Sequence, residues 1–158
     1  MHDRIVMNMG PLVALARIDD MGIIGSLPID FIAPSEVYAE LQEGEQQGHI
    51  AAIPIWLHES PVSTALSLVA VSSLDTGEAA VIQLALEKNI SCVCIDEWKG
   101  RPAACSVGLN VIGTLGLIGM AKAHRLIPAM RPYVEKALVT GVYYDLRLVE
   151  DVLKAAGE

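Results

Sequence analysis

The sequence has few of the features that define secreted, disulfide-stabilised or membrane-spanning proteins. Its 158 residues include three cysteines, and an odd number argues against a disulfide framework. We therefore expect Cys92, Cys94 and Cys105 to be buried thiols that pack as small apolar side chains. The N-terminus shows no basic segment followed by a long apolar one, so no signal peptide is expected and the cytoplasm is the default location.

Long apolar runs are also missing. The longest weakly polar stretch, residues 107–121, is interrupted by Asn110, Thr114 and four glycines, and it falls short of the ~20 apolar residues that a membrane-spanning helix needs. No internal repeat or low-complexity segment divides the chain. A length of 158 residues is typical of one domain, so residues 1–158 are predicted to form a single domain outside the membrane.

What the sequence has in quantity is apolar side chains. Hydrophobic residues make up 53% of the chain and the mean hydropathy is +0.44, which favours a sheet covered by helices on both faces. We also expect a homodimer, because contiguous exposed apolar patches usually mark interfaces. Residues 65–74 and 115–121 are the candidate contact segments.

Charge is distributed unevenly along the chain. The net charge of −8, taken alone, disfavours a phosphate-binding surface. However, residues 1–87 carry two Lys or Arg against twelve Asp or Glu, whereas residues 88–158 carry nine against seven. An acidic half beside a basic half suits a protein that holds a cation and also contacts phosphates. Two ordinarily solvated faces would give the same counts.

Apolar runs alternate with helix-start signals. Ser35 is the predicted cap of a helix that follows a strand at residues 29–34, and Asp75 with Thr76 marks the start of another helix. Residues 53–61 are predicted to be a connector, because their prolines lie too close together for a central strand. The alternation predicts an α/β fold of three layers, with a central, mostly parallel sheet flanked by helices. Further predicted strands lie at residues 5–7 and 91–96, and residues 110–116 are predicted to form a short strand and turn.

Several carboxylates stand near predicted strand ends and helix starts. Asp96 ends a strand and Glu97 follows it, and Glu78 lies in the first turn of a helix with Asp75 just before it. Glu36 and Glu40 are four residues apart on another helix. Like charges at that spacing are unfavourable unless a cation lies among them, and hard divalent cations prefer oxygen ligands. Each acid taken singly also fits a solvated residue or a helix-start acid favoured by the helix dipole.

Four blocks follow one another over nearly the whole chain: LDTGEAAVIQLALE, CVCIDEWKGRPAA, NVIGTLGLIGMAKAHRLIP and the final VLKAAGE. Together they resemble a prokaryotic branch of the PIN-domain family. The resemblance implies a PIN-like α/β domain with a central parallel sheet and acids at the carboxyl ends of its strands. It also implies a Mg²⁺- or Mn²⁺-dependent ribonuclease that acts on RNA, of the kind found as toxins paired with antitoxin proteins.

The family's motifs also imply roles for individual residues. Asn8 stands where the family usually has its first aspartate, and an amide keeps a ligating oxygen but cannot act as a base. Lys99 and Arg101 lie close enough to Asp96 to steer a phosphodiester, and Thr114 is placed to hold Asp96 or a metal-bound water unless it only caps a helix. The implied catalytic acids are Glu40, Glu78 and Asp96; the implied metal ligands are these three with Asn8 and Glu97; the implied RNA contacts are Lys99, Arg101, Lys122 and Arg125.

The predicted function is that of a metal-dependent endoribonuclease of toxin–antitoxin type, with activity weakened by the Asn8-Met9-Gly10 turn. The alternative is a catalytically inactive PIN-like module that binds RNA or a partner protein through the same groove. A flavodoxin-like nucleotide binder is a third hypothesis, although the spacing of Gly113, Gly116 and Gly119 departs from the dinucleotide fingerprint.

Overall fold

A five-stranded sheet in which every neighbouring pair is parallel forms the centre of the molecule. The computed structural model describes residues 3–18, 21–64, 74–97, 100–140 and 144–158. The strand order is β3-β2-β1-β4-β5. The strands are β1 (Asp3–Met7), β2 (Ile29–Pro34), β3 (Leu57–Ser60), β4 (Cys92–Cys94) and β5 (Asn110–Ile112).

Helices flank this sheet, which confirms the predicted three-layer α/β architecture. Within the described residues, none of them is long and apolar enough to cross a membrane. The helices are α1 (Met9–Arg17), α2 (Met21–Gly25), α3 (Ser35–Gln46), α4 (Thr76–Glu87), α5 (Gly100–Ser106), α6 (Thr114–Ala123), α7 (Arg131–Val139) and α8 (Leu146–Ala155).

The apolar segments of the sequence are used inside this chain. Val6, Met7, Val93 and Cys94 in the two central strands are fully buried, as expected when helices cover both faces of a parallel sheet. Most of the apolar side chains of residues 115–121 also belong to the core, so that segment presents no apolar face to a second copy. Residues 65–73 of the other candidate segment lie outside the described residues. The homodimer therefore stays a prediction.

Strand β3 was not predicted, since it lies inside the proline-containing segment interpreted as a connector. It pairs with β2 alone, from Phe31↔Leu57 to Pro34↔Ser60, and so occupies one edge of the sheet. An edge strand tolerates neighbouring prolines because one side of its backbone needs no partner. The prolines of residues 53–61 exclude a central strand, as predicted, but they allow a strand at the edge of the sheet.

Two local predictions are wrong. Ser35 is the first residue of α3 rather than its cap, which is Pro34 in extended conformation. Cys105 is exposed, whereas Cys94 is buried and Cys92 is half-buried. Cys105 lies on the outer side of the short helix α5, and sequence periodicity over so few residues does not separate the inner side from the outer side.

Candidate metal and nucleic-acid site

Asn8 lies where β1 ends, next to the end of β4. Because all strands are parallel, their carboxyl ends share one edge of the sheet, where ligands of open α/β sheets bind. The backbone N–H of Asn8 donates to the carbonyl oxygen of Cys94 at 3.0 Å. Asn8 is 7% exposed, and its side chain forms no capping hydrogen bond with α1. The side-chain amide of Asn8 therefore does not cap α1, as a side chain at this position usually does.

Three carboxylates from two segments meet at this edge. One ligand oxygen from each of Asp75, Glu78 and Glu97 lies within 4.8 Å of the other two. Asp75 caps α4, and its Oδ1 accepts the backbone N–H of Glu78 at 2.7 Å, which fixes these two acids side by side. From the sequence, Asp75 is one of the acids near a helix start, but it is not among the implied metal ligands. Asp75 lies three residues before the predicted ligand Glu78, at the position of a helix cap. This spacing was the signal in the sequence that could have placed Asp75 in the cluster.

Glu78 is the buried member of the cluster. Its side chain is 2% exposed, and its Oε1 is shielded from water without a hydrogen-bond partner in the described part of the chain. Burial, and then interaction with the nearby carboxyl groups of Glu97 and Asp75, raise the pKa of Glu78 to about 8. A buried carboxyl oxygen without a partner is unfavourable, and a bound cation would supply the missing interaction.

Glu40 approaches the same cluster from α3. A Cβ atom at Gly77 would lie 2.5 Å from Oε1 of Glu40, so the glycine of the DTGEA block leaves the space that this carboxylate occupies. Burial, and then the negative charges of Asp75 and Glu43, raise the pKa of Glu40. Glu40 is therefore placed beside Asp75 in the first turn of α4.

Asp96 is held differently from Glu97, its neighbour in the sequence. Its Oδ1 accepts the backbone N–H of Thr114 at 2.8 Å, and its Oδ2 accepts the Thr114 hydroxyl at 2.6 Å. Thr114 is fully buried and is the first residue of α6, whose cap is Gly113. The capping alternative for Thr114 is therefore wrong. The group of acids within metal-ligand spacing contains Glu97 and not Asp96.

The structure brings one of the predicted basic residues to this edge. Arg101 in α5 donates from Nε to the carbonyl oxygen of Ile95 at 3.1 Å. Lys99 lies outside the described residues. Lys122 lies in the last turn of α6 and Arg125 follows that helix, about 12 Å or more along the helix axis from Thr114. The Lys122 ammonium pairs with Glu158 at 2.9 Å. Lys122 and Arg125 therefore lie away from the acids, and this distance does not support their predicted contact with RNA.

Comparison with known proteins agrees with this architecture. A family model described as a PIN domain matches residues 4–158. The chain belongs to the PIN-domain family. No match was found among curated proteins or among solved structures.

Membership of the PIN-domain family supports a nuclease-like function on nucleic acids, and PIN domains generally use divalent metals. The donor set fits such an ion. Asp75, Glu78 and Glu97 offer only oxygen, the ligand type that Mg²⁺ and Mn²⁺ prefer. The unpartnered buried oxygen of Glu78 is the feature of this PIN domain that a cation would satisfy.

Proposed function

We propose that this PIN domain is a divalent-metal-dependent endoribonuclease that binds Mg²⁺ or Mn²⁺ through Asp75, Glu78 and Glu97. The observation that carries the proposal is the buried Oε1 of Glu78, which has no hydrogen-bond partner in the described part of the chain and lies among two further carboxylates. Like charges this close together are unfavourable without a cation or a proton between them.

The acids have distinct tasks in this proposal. Asp75, Glu78 and Glu97 would hold a divalent cation, which would activate a water molecule and neutralise charge on the phosphodiester. Glu78 would act as a ligand in its ionised form, since a metal-bound carboxylate must be deprotonated. Glu40, half-buried beside Asp75 with a raised pKa, is the candidate to hold or accept a proton. Asp96, assigned to catalysis by the family resemblance, keeps its position through Thr114.

A second candidate function rests on Asn8. The neutral amide contributes no negative charge to the edge of the sheet at which the acids lie, and it cannot accept a proton as a carboxylate does. An inactive PIN domain that binds RNA or a protein partner would keep the fold and the groove without turnover. Retention of the buried Glu78 among Asp75 and Glu97 favours the nuclease.

Cleavage of a mixed RNA pool in the presence of Mn²⁺ separates the two candidates. We expect slow cleavage by the unmodified protein, and loss of at least tenfold in rate for Glu78→Gln. Glu45→Gln is the matched control, because Glu45 is an exposed glutamate near the end of α3. RNA binding without cleavage at any Mn²⁺ concentration would instead establish the inactive module.

The remaining assignments come from the sequence, some through the family resemblance and some through composition and patterning, and they stay predictions. They are the toxin–antitoxin type, an antitoxin partner, a homodimer and a cytoplasmic location. Light scattering at high micromolar concentration tests the dimer. Growth arrest on expression, relieved by a co-expressed partner, tests the toxin assignment.

A further inference from the structure

A cavity lies beside Asp96. It has a volume of about 270 Å³, and its lining contains none of Asp75, Glu78 and Glu97. Apolar side chains from β5, α6 and α8 form its walls, and Asp96 and Arg101 contribute charged groups. Ligand pockets of about 300–1,000 Å³ accept drug-sized molecules, so this volume suits one small group. Its walls include Ile112, Leu115, Leu148 and Val152.

The charged groups of this cavity are held in place from outside it. The Nε of Arg101 is fixed by the carbonyl oxygen of Ile95, and the carboxylate of Asp96 is fixed by Thr114. A Cβ atom at Gly113 would lie 2.7 Å from Oδ1 of Asp96 and 3.1 Å from Nη2 of Arg101. The glycine of the IGT sequence therefore lets both groups approach the same point.

Tyr144 also lines the cavity. Its hydroxyl is shielded from water and lies beside Thr114, so the hydroxyl is not open to a ligand in the cavity. Arg101 has no ion-pair partner within 4.0 Å in the described part of the chain, where the one pair found joins Lys122 to Glu158. A guanidinium without an ion-pair partner there thus adds donor capacity to an apolar cavity.

We propose that this cavity binds a single unpaired nucleobase of an RNA strand whose backbone passes the cluster of Asp75, Glu78 and Glu97. The proposal rests on the proposed function, since it supplies the substrate contact for that site. A base has flat apolar faces for the walls and a polar edge for Arg101. A phosphate group is disfavoured here, because the carboxylate of Asp96 would repel it.

The chain connectivity places the cavity next to the acids. Asp96 lines the cavity and Glu97, the next residue, belongs to the carboxylate cluster, so adjacent residues of the chain contribute to the two sites. In this proposal a base in the cavity flanks the phosphodiester at the cluster. Guanine is the expected preference, because its O6 and N7 acceptors match the paired donors of an arginine side chain.

Two tryptophan substitutions on α8 test this proposal with little effect on folding. Leu148 lines the cavity and is 45% exposed, whereas Leu146 lies outside its lining and is 69% exposed. Leu148→Trp narrows the cavity, and Leu146→Trp is the matched control on the same helix. Arg101→Lys is a third variant, which keeps the positive charge and removes the paired donors.

The measurement is fluorescence anisotropy of labelled single-stranded RNA, with and without guanine, in Ca²⁺ to limit cleavage. We expect Leu148→Trp and Arg101→Lys to weaken binding of the guanine-containing strand about tenfold, with Leu146→Trp unchanged. Mn²⁺ affinity, measured by calorimetry, should be the same in all four proteins. Equal RNA affinity of Leu148→Trp and the unmodified protein would overturn the base site and leave the nuclease proposal standing.

Two further outcomes also decide the matter. Guanosine monophosphate that binds as tightly as the oligonucleotide would make this a site for free nucleotides and overturn the proposal. Failure of the unmodified protein to bind either RNA or Mn²⁺ would overturn the base site and the nuclease function together.

Discussion

Thr114 holds both oxygens of Asp96, one through its backbone N–H at 2.8 Å and the other through its hydroxyl at 2.6 Å. The two residues come from different segments, since Asp96 follows β4 and Thr114 begins α6. Hydrogen bonds to a charged group contribute more to stability than neutral ones do. This pair therefore fixes the end of β4 against the start of α6.

Removal of the Thr114 hydroxyl should loosen this connection. We expect Thr114→Val to lower the free energy of unfolding by about 2 kcal/mol, because a hydrogen bond to a charged group contributes about 1.5–3 kcal/mol. Thr114→Ser keeps the hydroxyl and should lose less than half as much. Urea denaturation checks both variants. Equal stability of the valine and serine variants would contradict a contribution from the hydroxyl.

A methyl group added at Gly77 should displace the carboxylate of Glu40. The added Cβ would lie 2.5 Å from Oε1 of Glu40, and the free end of a glutamate side chain rotates away more readily than backbone moves. We expect Gly77→Ala to fold and to bind Mn²⁺ about tenfold more weakly in calorimetry.

Gly22→Ala is the control for that substitution, because nothing lies within 4 Å of a Cβ there and Gly22 is in helix α2. It should leave Mn²⁺ binding unchanged and raise stability by about 0.5–1 kcal/mol. Unchanged Mn²⁺ affinity of Gly77→Ala would show that the position of Glu40 does not matter to the ion.

Asn8→Asp tests whether position 8 of this chain is a metal-ligand position, as the family's first aspartate is. A carboxylate at the end of β1 adds one negative charge near the proposed ion, so Mn²⁺ affinity should rise about tenfold, equivalent to ~1.4 kcal/mol. Asn110→Asp adds the same charge at the start of β5, where the amino ends of the parallel strands lie, away from the carboxyl ends that carry Asn8. If calorimetry gives the same affinity for Asn8→Asp and Asn110→Asp, position 8 is not a ligand position.

Glu78 should make metal binding and stability depend on pH in opposite directions. Its folded-state pKa is about 8, above the ordinary value of 4.5, so the folded protein keeps a proton that the unfolded chain releases. Without metal, stability from this group is therefore full below about pH 4.5 and is lost as pH rises through 8. Mn²⁺ must displace the proton, so its affinity should rise about tenfold per pH unit below 8.

Thermal unfolding and calorimetry between pH 5 and 9 check both trends. Glu78→Gln should remove the pH dependence of stability in this range and weaken Mn²⁺ binding at every pH. A flat Mn²⁺ affinity between pH 6 and 8 in the unmodified protein would rule out a proton on Glu78.

Protonation of Glu158 should lower the free energy of unfolding at acid pH. Its carboxylate accepts hydrogen bonds from Lys122 and from the backbone N–H groups of Met130 and Arg131. The Lys122 hydrogen bond, and then that of Met130, lower the pKa of Glu158 to about 2. This stabilisation is present above pH 4.5 and is lost as pH falls towards 2.

Glu158→Gln should therefore lower the unfolding midpoint by a few degrees at pH 7 and by less near pH 2. Glu150→Gln, on the exposed side of α8, is the control and should match the unmodified protein at both pH values. A Glu158→Gln deficit of the same size at both values would assign the effect to shape rather than to charge.

The sequence by itself determined the parallel sheet, the main helices and the family. Apolar runs such as residues 91–96 and start signals such as Asp75 are local patterns, and each reflects the burial or the hydrogen bonding of a few neighbouring residues. Glu78 was found because its block carries the family resemblance. Strand β3 was missed because its place at the edge of the sheet depends on β2, which the local pattern does not contain.

Only the tertiary structure decided how the acids are grouped. Asp96 and Glu97 are adjacent in sequence, yet Asp96 binds Thr114 while Glu97 meets Asp75 and Glu78. A strand end does not specify where each following side chain points, because the direction depends on the helix packed against it. The start of α6 supplies donors for Asp96, and the first turn of α4 supplies the buried partner for Glu97.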